Sequence, residues 1–216
     1  MIYTSIDIGI FNLGLVVCEV NTDWSIRVIH AERINIKELC TECRDVRCRF
    51  KHALVFTDYI DHFVFKYDNY LKHSKAVLIE RQPPQGFVAV QELIMSHFRD
   101  TTILVSPNSV HKFFEIGHLD YDGRKVASIN IAKNIHAFDG HRGRIHDIAD
   151  AICMLIYQTS KMKKAEADET LRLQKLDPFN RYRYNAEDAE KKANIDKFLE
   201  ECRYSAISEL SPAETE

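Results

Sequence analysis

The first 34 residues show the apolar and polar alternation of three successive strands. The predicted strands cover 2–8, 13–20 and 25–34, and turn-forming residues around Asn12 and Asn21 separate them. Strands joined by such short connections pair antiparallel. The pattern therefore predicts an antiparallel meander.

From residue 50 onward, helical spacing alternates with short apolar runs of the kind found in buried strands. The predicted helices are 50–71, 86–98, 108–114, 125–137 and 146–164, and the predicted strands are 76–79 and 102–105. Strands connected through helices usually run parallel. We therefore expect an α/β fold with a mixed five-stranded sheet, in which the meander precedes parallel strands and helices flank the sheet.

The charge distribution divides the chain in two. Residues 166–216 contain 8 basic and 13 acidic side chains, a net charge of −5, whereas the whole chain of 216 residues carries −3. The rest is therefore slightly basic, at +2, which permits a nucleic-acid partner without requiring one. We predict a folded domain over 1–164 and a charged extension over 165–216, with a helix at 186–203 and a disordered end.

Several classes of protein do not fit the composition. The sequence has no run of about 18 apolar residues, the length that would suggest a membrane span. Its N-terminus lacks the basic region and the cleavage site of a secretion signal. Six cysteines in 216 residues are too few for a disulfide scaffold, so we expect reduced thiols and an intracellular protein.

Four carboxylates carry the chemistry, because each interrupts or ends an apolar segment. Asp7 and Glu80 stand at the ends of predicted strands, and Asp147 and Asp150 share one face of a predicted helix. Carboxylate oxygen is the ligand that Mg²⁺ prefers, and two such ions are the usual clamp for phosphoryl displacement. The alternative for each acid is a structural role, as a turn residue, a strand-end charge or a helix N-terminal acid.

Three motifs follow one another in a fixed order. They are Ile6–Gly14 (IDIGIFNLG), Ile79–Gln82 (IERQ), which leads into Pro83–Gly86, and His146–Ala151 (HDIADA). Together they resemble the motifs of RuvC-type Holliday-junction resolvases, which belong to the RNase H-like superfamily. The closer likeness is to the resolvases of poxviruses and other large DNA viruses and to those of fungal mitochondria, and it covers roughly residues 1–160.

This resemblance implies an RNase H-like catalytic domain over 1–164. It also implies that Asp7, Glu80, Asp147 and Asp150 hold two Mg²⁺ or Mn²⁺ ions. The implied protein is a homodimer that places symmetric paired nicks in a DNA four-way junction. For a viral protein, the host cytoplasm or the virus factory would be the location; the nucleus and the mitochondrion stay open otherwise.

Basic residues are candidates for supporting roles. Lys125 is the preferred candidate for stabilising transition-state charge, with Lys112 and Arg124 as alternatives. Cationic side chains could also contact DNA phosphates. The candidates for these contacts are Arg81, Lys112, Arg124, Arg142 and Arg144.

A cysteine-rich segment suggests a second metal. Cys40, Cys43, Cys48 and His52 are separated by two, four and three residues, which is similar to small zinc sites. These intervals match no standard zinc finger, and cysteines are also ordinary small core residues. A structural Zn²⁺ and a plain apolar role therefore both stay open.

Three other functions are compatible with parts of the pattern. Another RNase H-like nuclease, of the ribonuclease H or integrase type, would use a similar acidic centre. A catalytically inactive junction-binding recombination protein would be expected to have lost one or more of the acids. An actin-like nucleotide-binding protein shares the first motif, but it needs a second phosphate loop that the sequence lacks.

Overall fold

The computed structural model describes residues 1–43, 48–136, 138, 144–176, 193–194, 196–197 and 200. Within them, five strands and six helices are defined. The strands are β1 Ile2–Asp7, β2 Leu13–Val20, β3 Ile26–Ile34, β4 Ala76–Glu80 and β5 Thr102–Val105. The helices are α1 Ile36–Thr41, α2 Phe56–Leu71, α3 Val88–His97, α4 Pro107–Phe113, α5 Tyr121–Lys133 and α6 His146–Leu176.

The strands form one mixed sheet in the order β3-β2-β1-β4-β5. The first three strands pair antiparallel, and β4 and β5 continue the sheet parallel to β1. Short turns can only reverse the chain, whereas the helices α2 and α3 provide the long crossovers that parallel strands need. The predicted fold class is therefore confirmed.

Two apolar cores lie on opposite faces of this sheet, because successive strand side chains point to opposite sides. On one face, Tyr3 and Leu78 pack with apolar residues of α4, α5 and α6. On the other, Ile6, Val77 and Ile79 pack with residues of α1, α2 and α3. The sheet is thus the middle of three layers.

The predicted element bounds hold closely for the strands and less closely for the helices. Helix α1 was not predicted, and α2 begins at Phe56 rather than at residue 50. Helix α6 continues past residue 164 as far as Leu176. The boundary placed at 164 stays a prediction. The helix predicted over 186–203 lies mostly outside the described residues, and the positions described there, 193–194, 196–197 and 200, are helical.

No helix in the described part of the chain has both the length and the apolar character to span a membrane.

Candidate active site

The strand period directs Asp7 and Glu80 toward the same helix. Asp7 follows Tyr3 at a spacing of four, and Glu80 follows Leu78 at a spacing of two, so both acids share the sheet face of those core residues. Helix α6 covers this face. The two carboxylates therefore end their strands beneath α6.

Strand register brings the same two acids side by side. Strands β1 and β4 are parallel neighbours, with Ile6 paired to Ile79, so the next position on each strand is Asp7 and Glu80. The negative charge of Glu80 adds to the effect of burial and helps to raise the pKa of Asp7.

The first turns of α6 supply the other two acids. Asp147 is buried and Asp150 is half-buried, three residues apart on one helix face. Gly14, the partner of Asp7 on β2, lies directly beneath this turn. A Cβ at Gly14 would stand only 2.1 Å from the Asp147 carbonyl oxygen, so the absence of a side chain allows the helix to approach the sheet.

Lys125 enters the same cluster from α5. Its ammonium group donates a hydrogen bond to Asp150 Oδ2 and lies 5.5 Å from the centre of the Tyr121 ring. Burial lowers the pKa of Lys125, but the negative charges of Asp150 and Asp7 outweigh this effect and leave the pKa raised. The Lys125 side chain therefore stays protonated and positively charged among the acids.

Burial raises the pKa of Asp7, Glu80 and Asp147. Burial is the largest cause for Asp7, and repulsion from Glu80 and Asp150 adds to it. Burial is also the main cause for Glu80 and for Asp147. Buried carboxylates that repel one another favour either protons or a bound cation.

The donor set fits a divalent metal ion. All four residues offer hard carboxylate oxygens, which suit Mg²⁺ and Mn²⁺. Among the described residues, Asp147 Oδ2 is buried without a hydrogen-bond partner, and its ion-pair neighbour Arg144 Nε stands 3.5 Å away. A buried carboxylate oxygen without a hydrogen-bond donor is available to bind a metal ion.

Two basic side chains flank Asp147. Arg144 hydrogen-bonds with His146 Nε2, and His146 Nε2 lies 3.5 Å from Asp147 Oδ1. Burial lowers the pKa of His146, although the charge of Asp147 opposes the shift. The arginine therefore adds positive charge at the edge of the acidic cluster.

Gln82 holds Glu80 in place, a role that is not visible in the sequence. Gln82 Nε2 donates to Glu80 Oε2 at 2.6 Å, and the Phe87 backbone N–H donates to Gln82 Oε1 at 3.1 Å. The backbone N–H of Gln82 in turn donates to the buried Gln91 side chain at 2.8 Å. A Cβ at Gly86 would stand 2.6 Å from Gln82 Oε1, so this glycine leaves room for the amide.

Replacing Gln82 should weaken metal binding rather than remove activity. In Gln82→Leu the Glu80 carboxylate loses its donor, and loss of such an outer partner typically costs about 10- to 100-fold in metal affinity or activity. We expect the dissociation constant for Mg²⁺, measured by metal titration, to rise by a similar factor. Gln85→Leu, at a nearby exposed glutamine, is the matched control and should keep the wild-type value. An unchanged Mg²⁺ dissociation constant in Gln82→Leu would contradict the positioning role.

A family comparison gives the context for this acidic cluster. The model of the family described as Poxvirus A22 protein matches residues 1–161, about three quarters of the chain. The chain belongs to the Poxvirus A22 protein family. The match includes all four acids, Lys125 and the three motifs on which the resemblance was based. No curated protein sequence matches the chain.

Solved structures with the same fold come from viral and mitochondrial resolvases. The fowlpox virus Holliday junction resolvase is 16% identical, with a TM-score of 0.51 over 74% of this chain and 99% of that chain. The complex of fowlpox virus resolvase with substrate Holliday junction DNA is 16% identical, with a TM-score of 0.54 over 75% of this chain and 99% of that chain. The yeast mitochondrial Holliday junction resolvase Ydc2 is 13% identical, with a TM-score of 0.53 over 78% of this chain and 85% of that chain. These likenesses concern the fold, and this A22 family member has the predicted RNase H-like fold.

The other basic residues predicted from the sequence are distributed more widely. Arg144 and Lys125 reach the acids, whereas Arg124 donates to the Leu119 carbonyl oxygen at 2.5 Å. Arg81 is exposed directly after β4, and Lys112 is exposed on α4. Arg142 lies outside the described residues. The roles of these side chains in DNA contact stay predictions.

The predicted zinc ligands only partly assemble. Cys43, Cys48 and His52 lie close together, but the fourth member of their group is His62 on α2 rather than Cys40. Cys40 is 1% exposed, on the face of α1 that packs into the core. Burial raises the pKa of its thiol, which disfavours the thiolate that a metal requires.

Proposed function

We propose that this A22 family member is a metal-dependent endodeoxyribonuclease that resolves four-way DNA junctions by symmetric paired nicks. One observation carries the proposal: carboxylates from β1, β4 and α6 converge at one end of the sheet with Lys125 among them. Neither a catalytically inactive scaffold nor an ordinary core would be expected to retain four acids in mutual repulsion.

Asp7, Glu80, Asp147 and Asp150 would hold Mg²⁺ or Mn²⁺, two ions per site. When bound, such ions lower the pKa of an attacking water, polarise the phosphate and stabilise the leaving oxygen. Gln82 keeps Glu80 oriented toward the centre, and Gly14 lets Asp147 reach it. The proposed ligands of this centre are all carboxylates, so a structural Zn²⁺ held by thiolates and imidazoles would be a separate site.

Lys125 would stabilise negative charge that develops on the phosphate during cleavage. Its ammonium group already contacts Asp150 and its pKa is raised, so it stays protonated at neutral pH. Fixed cations aimed at developing charge are a major source of catalysis in phosphoryl transfer. Arg144 would extend the positive potential toward the DNA backbone.

Branched DNA is the substrate class that the relatives suggest. The fowlpox virus resolvase was crystallised with substrate Holliday junction DNA, and the fold of this chain is similar to it. A homodimer suits such a substrate, because a two-fold axis would place two equal centres on two equal strands. The proposal thus also locates the protein where viral DNA is processed inside an infected cell.

A cleavage assay with three substrates tests the proposal. With Mg²⁺ or Mn²⁺, the protein should cut a synthetic four-way junction at least about tenfold faster than a linear duplex of the same sequence, a preference of about 1.4 kcal/mol. Omission of the metal should abolish cleavage, and the products should be symmetric nicks. Equal cutting of junction and duplex would refute junction specificity. Cleavage restricted to RNA–DNA hybrids would favour the ribonuclease H alternative, and binding without cleavage would favour the scaffold.

A further inference from the structure

A second group of metal-ligand side chains lies on the opposite side of the sheet from the acids. It consists of Cys43, Cys48 and His52, from the segment between α1 and α2, and of His62 on α2. One ligand atom from each lies within 4.8 Å of every other. Neither cysteine is in a disulfide. Two sulfur atoms and two imidazole nitrogens are a donor set that favours zinc.

The shortest distances in this group are within about 0.3 Å of those in a tetrahedral zinc site. His62 Nε2 lies 3.1 Å from His52 Nε2 and 3.4 Å from Cys48 Sγ. Zinc bonds of about 2.0–2.3 Å at tetrahedral angles separate neighbouring ligand atoms by about 3.3–3.8 Å. The remaining atoms, at up to 4.8 Å, would have to move by about an ångström or less to complete the shell.

The tautomer of His62 is already the one that a metal ligand needs. Its Nδ1 lies 2.6 Å from the backbone carbonyl oxygen of Asp58, one helical turn earlier. A carbonyl can only accept, so Nδ1 carries the proton and donates it. The lone pair of Nε2 therefore points into the cluster, and a backbone carbonyl behind the imidazole is a common outer partner of zinc ligands.

The location offers a structural purpose for a metal. The described residues 48–55 contain no helix or strand, and most of them are exposed. Phe50 is their main apolar anchor, with ring contacts to His62 at 5.3 Å and to Phe65 at 5.5 Å. A cross-link between this segment and the buried His62 would fix the segment to α2.

We propose that Cys43, Cys48, His52 and His62 bind one Zn²⁺, which fastens the segment 48–55 to α2. The ion binds two thiolates and two neutral imidazoles, so the thiol protons are released to solvent when it enters. The site is independent of the carboxylate centre, because hard carboxylate oxygens and soft thiolates select different metals. The rival explanation is a metal-free cluster, in which His52 donates a hydrogen bond to His62.

Metal analysis of the full chain tests this site. The protein is expressed with zinc in the medium, kept reduced and freed of loosely bound metal. We expect about one zinc per chain, as for one tetrahedral site. Replacement by Co²⁺ should produce thiolate-to-cobalt charge-transfer absorption, which a carboxylate site cannot give. Less than stoichiometric zinc in folded protein, or a cobalt spectrum without sulfur bands, would overturn the proposal.

Variants identify the ligand set. His52→Ala changes an exposed residue, so the chain should fold but lose the zinc and the cobalt bands. Cys40→Ala is the matched control, since Cys40 is adjacent but buried in the core, and it should retain both. Loss of zinc from Cys40→Ala with retention in His52→Ala would refute this assignment.

Thermal melting and junction cleavage separate the two metal sites. A strong chelator should lower the melting temperature of the wild type and of Cys40→Ala, but not that of His52→Ala. Glu80→Gln should lose cleavage and keep its zinc. If Glu80→Gln also lost the zinc, the metal would belong to the carboxylate centre and the proposed thiolate site would be wrong.

Discussion

Asp7→Asn and Glu80→Gln should each abolish junction cleavage and leave junction binding intact. The amide keeps the shape of each side chain but removes a charged metal ligand at the point where β1 and β4 end side by side. Metal stabilisation of transition-state charge is worth several kcal/mol, so we expect cleavage to slow on the order of 10³-fold or more. Single-turnover cleavage and gel-shift binding of the same four-way junction measure the two effects.

The same two variants should fold normally. The pKa of Asp7 is raised in the folded protein, so the folded state resists ionisation and its stability falls as pH rises above the ordinary carboxyl pKa. Asp7→Asn removes that penalty, and without metal its melting temperature at neutral pH should be no lower than that of the wild type. Asp68→Asn, at an exposed carboxylate paired with Lys72, is the control and should cleave normally. Wild-type turnover in Asp7→Asn would remove Asp7 from the catalytic centre.

Gly14→Ala should damage the active site through one added methyl group. The new Cβ would stand 2.1 Å from the Asp147 carbonyl oxygen and 2.6 Å from its carbonyl carbon, both of them backbone atoms that cannot rotate away. The start of α6 must therefore lift off the sheet. A shift of about 1 Å at a catalytic centre can cost about 100-fold in rate, and overpacking costs about 1–3 kcal/mol of stability.

Cleavage rates and thermal melting of Gly14→Ala check both effects. Gly117→Ala is the matched control, because its Cβ would have a single ordinary contact at 3.8 Å, with His111 Cβ. This control should keep wild-type activity and stability. Normal cleavage by Gly14→Ala would mean that the close approach of β2 and α6 is not needed to position Asp147.

The sequence predicts this fold best in the strands, where apolar and polar residues alternate with a period of two. The alternation in the first 34 residues predicts the meander nearly to the residue, since strand period and turn chemistry are both local properties. Helix α1 escaped prediction because six residues make fewer than two turns, too few to show a helical period. Helix α2 begins late because the preceding segment is held by side-chain contacts distant in sequence.

The acids of the candidate site could be predicted, but the residues that support them could not. Asp7 and Glu80 stand out as charges at the ends of apolar strands, and that signal is visible in the sequence. Gln82 shows its role only when the loop after β4 folds back on itself. His62 escaped attention because it lies on a helix ten residues beyond the spaced cysteines and histidine, and only tertiary folding brings it to them.

The length of α6 carries its C-terminal part away from the candidate active site. The helix has 31 residues, so it spans about 45 Å at 1.5 Å per residue. Only its first three or four turns lie against the sheet, and most positions beyond residue 160 are exposed. The end of α6 therefore lies several screening lengths from Asp147, since that length is about 8 Å at physiological ionic strength. Salt thus largely screens the acidic side chains on the exposed part of α6, such as Glu169, from the candidate active site.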